Sequence, residues 1–166
     1  MFASLVEVTP DLREIGPAVD EIMRQAAAPW PPAFCEGSEE LRLALTEALN
    51  NVIEHAAHPS DIPIRVTTHR ATGGRVSITI EDRGTPLPET LLDEQWEAEE
   101  PNLKDDVALL PEGGWGWMLI RASVERLAFR RVDGHNLLTL ERGMAPVDGA
   151  GDAIPDPLPK LAGRGR

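Results

Sequence analysis

Leu43-Ala44-Leu45-Thr46-Glu47-Ala48-Leu49-Asn50-Asn51-Val52-Ile53-Glu54-His55-Ala56 is the stretch from which the fold can be read. Leu41, Ala44, Leu45, Ala48, Leu49, Val52 and Ala56 recur at the spacing of an α-helix that buries one face. Ser38 stands where a hydroxyl can cap such a helix, and Glu39 and Glu40 follow where the helix dipole favours negative charge. Glu47, Asn51 and His55 fall four residues apart on one stripe at the edge of the apolar arc, half sheltered beside the core-facing side. There a carboxylate can take a proton and an amide oxygen can help hold Mg²⁺, which prefers oxygen ligands and keeps several waters. Taken alone, the same triplet describes a solvated helix flank.

On the N-terminal side, residues 4–8 predict a short strand and Thr9-Pro10 the start of a first helix running to about Ala27, with Thr9 as hydroxyl cap and proline at the first helical position. Three prolines within Ala28-Pro29-Trp30-Pro31-Pro32 end it. On the C-terminal side, residues 62–70 and 75–82 predict a β-hairpin closed by Ala71-Thr72-Gly73-Gly74. A long connection from Thr85 to Glu112 holds nine acidic residues against one lysine, with a possible short helix at 89–97. Connections of this length inside compact domains tend to be functional or disordered. Gly113-Gly114-Trp115-Gly116 opens a further helix to about Glu125, and residues 127–132 and 137–142 form a second hairpin around Asp133-Gly134-His135-Asn136. The folded domain is expected to span residues 1–143, leaving residues 144–166 as a flexible tail rich in Gly and Pro.

Two further signals carry chemistry. Asp82-Arg83-Gly84 ends a strand, so Asp82 can project its carboxylate into a pocket while Gly84 lets a flat ligand approach the backbone; an adenine exocyclic amine is one fitting donor. Gly114-x-Gly116 at a helix start can turn backbone N–H groups toward phosphate. Neither is specific by itself. The second lacks the Gly-Lys-Ser/Thr ending of a P-loop and the third glycine of a dinucleotide fingerprint.

In order and spacing these pieces together resemble a known family. The stretch from Leu43 to Ala56 is similar to the N-box of the ATP-binding superfamily that includes gyrase B, histidine kinases and MutL, and most resembles its anti-sigma-factor serine/threonine kinase branch. Glu81-Asp82-Arg83-Gly84-Thr85-Pro86 resembles the adenine-binding box, residues 113–121 resemble the phosphate-loop box, and residues 133–140 match the closing hairpin, so that the likeness covers roughly residues 4–142. The resemblance implies an α/β two-layer sandwich of the Bergerat type, with helices on one face of a mixed, mostly antiparallel sheet. It implies ATP and Mg²⁺ as cofactors, Glu47 as general base, Asn51 as Mg²⁺ ligand, Asp82 as adenine partner, and Gly84, Gly114 and Gly116 as nucleotide-contacting glycines. Thr139 would support the adenine site from the last strand. His55 occupies a position where the family often has a histidine, with a structural role equally open. Two features depart from the pattern. The segment that should cover the nucleotide is acidic, and carboxylates near a triphosphate oppose binding unless they face solvent or a basic partner. Trp115 and Trp117 place large side chains beside the glycines, where Trp117 is best read as core.

Composition narrows the classes. A length of 166 residues with 42% hydrophobic and 27% charged content suits one globular domain. A net charge of −12, with no basic patch, argues against nucleic acid and anionic lipid as partners. The absence of a signal-like N-terminus or a long apolar run predicts a cytoplasmic protein. Cys35 is the single cysteine, so no internal disulfide can form. His55, His58, His69 and His135 show no zinc spacing. The resemblance thus implies a kinase that phosphorylates a small STAS-type anti-anti-sigma protein, holds a sigma factor inactive in an alternative complex, and forms a homodimer. The competing expectation is a nucleotide-dependent switch that sequesters a partner without phosphorylating it, using the acidic connection as docking surface; an ordinary solvated loop explains that charge equally well. A detached histidine-kinase domain fits less well, because the first helix carries no phosphoacceptor histidine.

Overall fold

A computed structural model describes residues 2–28, 31–87 and 115–146. Strand β1 (Phe2–Val8) leads to helix α1 (Leu12–Ala27), a 3₁₀ turn at Pro32–Phe34, strand β2 (Cys35–Glu36) and helix α2 (Ser38–His55). Strands β3 (Ile64–Arg70) and β4 (Arg75–Asp82), helix α3 (Trp115–Ser123), and strands β5 (Arg126–Val132), β6 (His135–Gly143) and β7 (Ala145–Pro146) follow. The main sheet has the order β1-β3-β4-β6-β5. Every neighbouring pair in it is antiparallel, so among the described strands the sheet is not mixed as expected.

The layers follow from periodicity. On β4, Val76, Ile78, Ile80 and Asp82 are buried and alternate with half-buried Ser77, Thr79 and Glu81; β6 alternates Asn136, Leu138 and Leu140 in the same way. The buried set faces α1, through Ile15, Val19, Ile22 and Met23, and α2, through Leu41, Leu45 and Leu49, in one contiguous core. Fully burying an aliphatic side chain of this size contributes about 1.5–3 kcal/mol, and that drives the two layers together. No described helix is long and apolar enough to cross a membrane.

Both predicted helix starts are displaced. Helix α1 begins at Leu12, because the Asp11 carboxylate accepts the Arg13 N–H at 2.9 Å and caps the helix two residues beyond Thr9. At α2 the cap is Gly37 with φ 77°, while Ser38 is buried inside the first turn. A Cβ at Gly37 would lie 2.4 Å from the Gly143 carbonyl oxygen, so positive φ and crowding both call for glycine there. The fold also runs past the expected boundary at Gly143. Met144 is buried and its N–H donates to Gly74 O at 2.8 Å, and β7 pairs with β2 through Cys35 and Pro146. Cys35 is buried, and desolvation pushes its thiol pKa up against the opposing attraction of Arg70. Trp30, the possible helix at 89–97, Gly113, Gly114 and the tail beyond Pro146 lie outside the described residues.

Candidate nucleotide site

Glu47 and Asn51 stand half-buried on the edge of α2, as the stripe predicted, where the first turn of α3 crosses them. A Cβ on Gly116 would lie 2.8 Å from Glu47 Oε2, 3.6 Å from Asn51 Oδ1 and 3.8 Å from Asn51 Nδ2. The glycine at the helix start and the polar stripe, distant in sequence, thus form one cradle, and a side chain at position 116 would have to displace the Glu47 carboxylate. His55 lies at the C-terminal end of α2 with its ring 73% exposed, its Nε2 4.0 Å from Glu54 Oε2.

Asp82 closes β4 on the helix-facing side and is 5% exposed. Its Oδ1 accepts the Gly84 N–H at 2.6 Å and the Asn136 Nδ2–H at 2.9 Å. A buried carboxylate needs such donors, since desolvating an unpaired charge is costly. The strand end is also tied to α2: Thr85 N–H donates to Ala56 O at 2.6 Å, and a Cβ on Gly84 would fall 2.2 Å from that oxygen. Gly84 is thus required by close approach of the α2 C-terminus.

Asn136 was not foreseen as a site residue. It sits opposite Asp82 in the β4–β6 register and opposite Arg131 in the β5–β6 register. Its amide nitrogen also donates to Thr85 O at 2.9 Å, while Arg131 Nη1 donates to Gly84 O at 3.0 Å and to Asn136 Oδ1. The signal that could have revealed it was Asp133-Gly134, whose positive φ values of 50° and 82° make a two-residue hairpin turn. Such a turn places His135 and Asn136 in the strand.

Thr139 is placed by the same alternation. It points to the face of the sheet opposite the helices, where its Oγ1 meets Thr79 Oγ1 at 3.0 Å, so it does not share a face with Asp82. Asn51, Val52, Asp82, Trp117, Asn136 and Leu138 are among the residues around a cavity of about 40 Å³ between α2, α3 and the sheet. Trp117, expected in the core, is buried and also lines this cavity. Small-molecule pockets commonly measure about 300–1,000 Å³, so this cavity, which Thr85 and Leu87 also line, is well below that size.

Residues 8–142 match the histidine kinase-like ATPase domain. A serine/threonine-protein kinase of Bordetella bronchiseptica, BtrW, is 36% identical over 116 residues, covering 66% of this chain and 75% of that protein. The structure of the RsbU and RsbW domains of Rv1364c from Mycobacterium tuberculosis aligns with a TM-score of 0.56 at 16% identity; it covers 88% of this chain but only 34% of that longer one, a likeness of fold. With its ATP-binding architecture matched along nearly its whole described length, the chain belongs to the histidine kinase-like ATPase family.

Proposed function

We propose that this chain is a Mg-ATP-dependent serine/threonine protein kinase acting as an anti-sigma factor, with a small STAS-type anti-anti-sigma protein as substrate and a sigma factor as its alternative partner. The observation that carries the reading is the convergence of Gly116 on Glu47 and Asn51. Asp82 is the group that receives the adenine amine: its Oδ1 is filled by Gly84 and Asn136, which orients the carboxylate. Asn51 Oδ1 is the donor suited to Mg²⁺, a hard cation that takes oxygen ligands. Bound with the nucleotide, the metal supplies charge neutralisation for the phosphate oxygens. Glu47 accepts the proton of the incoming serine or threonine hydroxyl as the γ-phosphoryl group passes to that oxygen and ADP leaves. The kinship with a named serine/threonine-protein kinase supports the reaction class.

The test is transfer of labelled γ-phosphate from ATP to a small STAS-type protein. Wild type is expected to yield phosphoserine or phosphothreonine, and Glu47→Ala to lose about 10²–10⁴-fold in rate with nucleotide affinity kept. Phosphate transferred by Glu47→Ala at the wild-type rate removes Glu47 as base. A wild type that binds nucleotide and partner but transfers nothing favours instead the sequestering switch suggested by the acidic connection between Thr85 and Glu112.

A further inference from the structure

His58 lies half-buried in the connection from α2 to β3 and bridges two backbone groups. Its Nδ1 is 3.0 Å from the Arg83 amide nitrogen, and its Nε2 is 2.7 Å from the Ile62 carbonyl oxygen. A backbone N–H can only donate and a carbonyl can only accept, so Nδ1 must hold its lone pair toward Arg83 while Nε2 carries the proton given to Ile62. Only the neutral ring, in that one tautomer, satisfies both. Arg83 is the central residue of the Asp82–Gly84 turn, and the next link, Thr85 to Ala56 O, is made by both N–H and hydroxyl at 2.6 and 3.3 Å. The turn that aims Asp82 is thereby fastened to the helix that bears Glu47 and Asn51.

The ring borders an open cavity of about 230 Å³ that runs across the ends of four strands, distinct from the one between α2, α3 and the sheet, so solvent protons reach it. The charged and titratable groups that share this cavity are Glu7 of β1, Arg65 of β3, Glu81, Asp82 and neighbouring Arg83 of the β4 end, and His135 of β6. All three carboxylates among them are engaged: Glu7 with Arg65 at 3.8 Å, Glu81 with His135 at 2.7 Å, and Asp82 with Gly84 and Asn136.

We propose that His58 is a positioning residue for the adenine-binding turn and makes nucleotide affinity proton-sensitive: the neutral ring holds Arg83 in place, and protonation at Nδ1 sets N–H against N–H and releases the turn. The proposal rests on the assignment of Asp82 to adenine. The sign is fixed by the geometry: the ring that accepts from the Arg83 N–H is the unprotonated one, so acidification weakens binding.

The test is calorimetric binding of Mg-ADP at about pH 8 and about pH 6. Wild type should weaken about five- to tenfold more on acidification than His58→Asn, whose amide oxygen can accept the Arg83 N–H but does not titrate. Ligand ionisation is common to both proteins and cancels in that comparison. His58→Phe should bind more weakly at both pH values by a similar factor, and equilibrium unfolding of each variant shows whether it is folded. If His58→Phe does not fold, the wild-type and His58→Asn profiles decide alone. His135→Gln should keep the wild-type profile; loss of the profile there assigns it to the His135–Glu81 pair and overturns the proposal. Equal acid weakening in wild type and His58→Asn also overturns it. Failure of the adenine assignment looks different: Asp82→Ala then binds as wild type does, or wild type does not bind at all, and the His58 proposal falls with it.

Discussion

Asp82→Asn separates the part of Asp82 that holds the fold from the part that meets the ligand. In the structure one carboxylate oxygen takes both protein donors, Gly84 N–H at 2.6 Å and Asn136 Nδ2–H at 2.9 Å. An asparagine can leave its amide oxygen in that place and keep both hydrogen bonds, now to a neutral acceptor. Bonds to a charged partner contribute about 1.5–3 kcal/mol and neutral ones about 0.5–1.5, so stability should fall by about 1–2 kcal/mol. The second oxygen becomes an amino group, and an adenine exocyclic amine cannot donate to it. Losing a charge-assisted bond of about 1.5–3 kcal/mol weakens Mg-ADP by roughly 10–150-fold. Asp82→Ala should bind as poorly and be less stable than Asp82→Asn by a further 1–3 kcal/mol, approximately, because the buried Gly84 N–H is left without an acceptor. Calorimetry gives the affinities and urea unfolding the stabilities. Asp82→Asn binding within threefold of wild type, on the order of 0.7 kcal/mol, would refute the adenine contact; an alanine variant as stable as the asparagine one would refute the structural half.

Two glycine substitutions should have opposite signs. Gly84→Ala places a Cβ 2.2 Å from Ala56 O and 2.7 Å from Ala56 Cβ, groups fixed by the helix end, so overpacking plus the strained Thr85 bond should cost about 2–4 kcal/mol in a denaturant titration; an unchanged midpoint contradicts that packing. Gly116→Ala meets only the movable end of Glu47, at 2.8 Å, and adds a better helix former worth up to about 1 kcal/mol. Its melting temperature should hold or rise while phosphoryl transfer drops about 10–100-fold through displacement of the carboxylate. Full activity in Gly116→Ala means that the cradle is not where the chemistry happens.

What could be read from the sequence was whatever a single segment's periodicity records. The α2 stripe, the β3–β4 hairpin and the strand ending at Asp82 each depend on local spacing of apolar residues, and each stands within about two residues of where it was expected. The helix caps were less legible because Thr9 and Asp11 are both competent N-caps, as are Gly37 and Ser38. The choice depends on what the cap touches: Gly37 is selected by the carbonyl of Gly143, which is remote in sequence. The strand pair β2–β7 was missed for the same reason, being two residues on each side with no pattern of their own.

The closing hairpin shows where that limit bears on function. Reading Asp133 to Asn136 as one four-residue turn leaves the facing of the next strand undetermined, and family likeness then points to Thr139. Counting the turn as Asp133-Gly134 alone fixes the facing of every later residue, since side chains on a strand alternate with a period of two. His135, Leu137 and Thr139 then share the open face, and Asn136, Leu138 and Leu140 the helix face. The register completes the argument. Asp82 pairs with Asn136 and is buried on the same side, so the polar residue that can reach its carboxylate from β6 is Asn136, and Arg131 follows one strand further out. Asp82, Asn136 and Arg131 thus form a cross-strand hydrogen-bonded row whose members become neighbours only when three strands are set in register, and Thr139 stands on the other face.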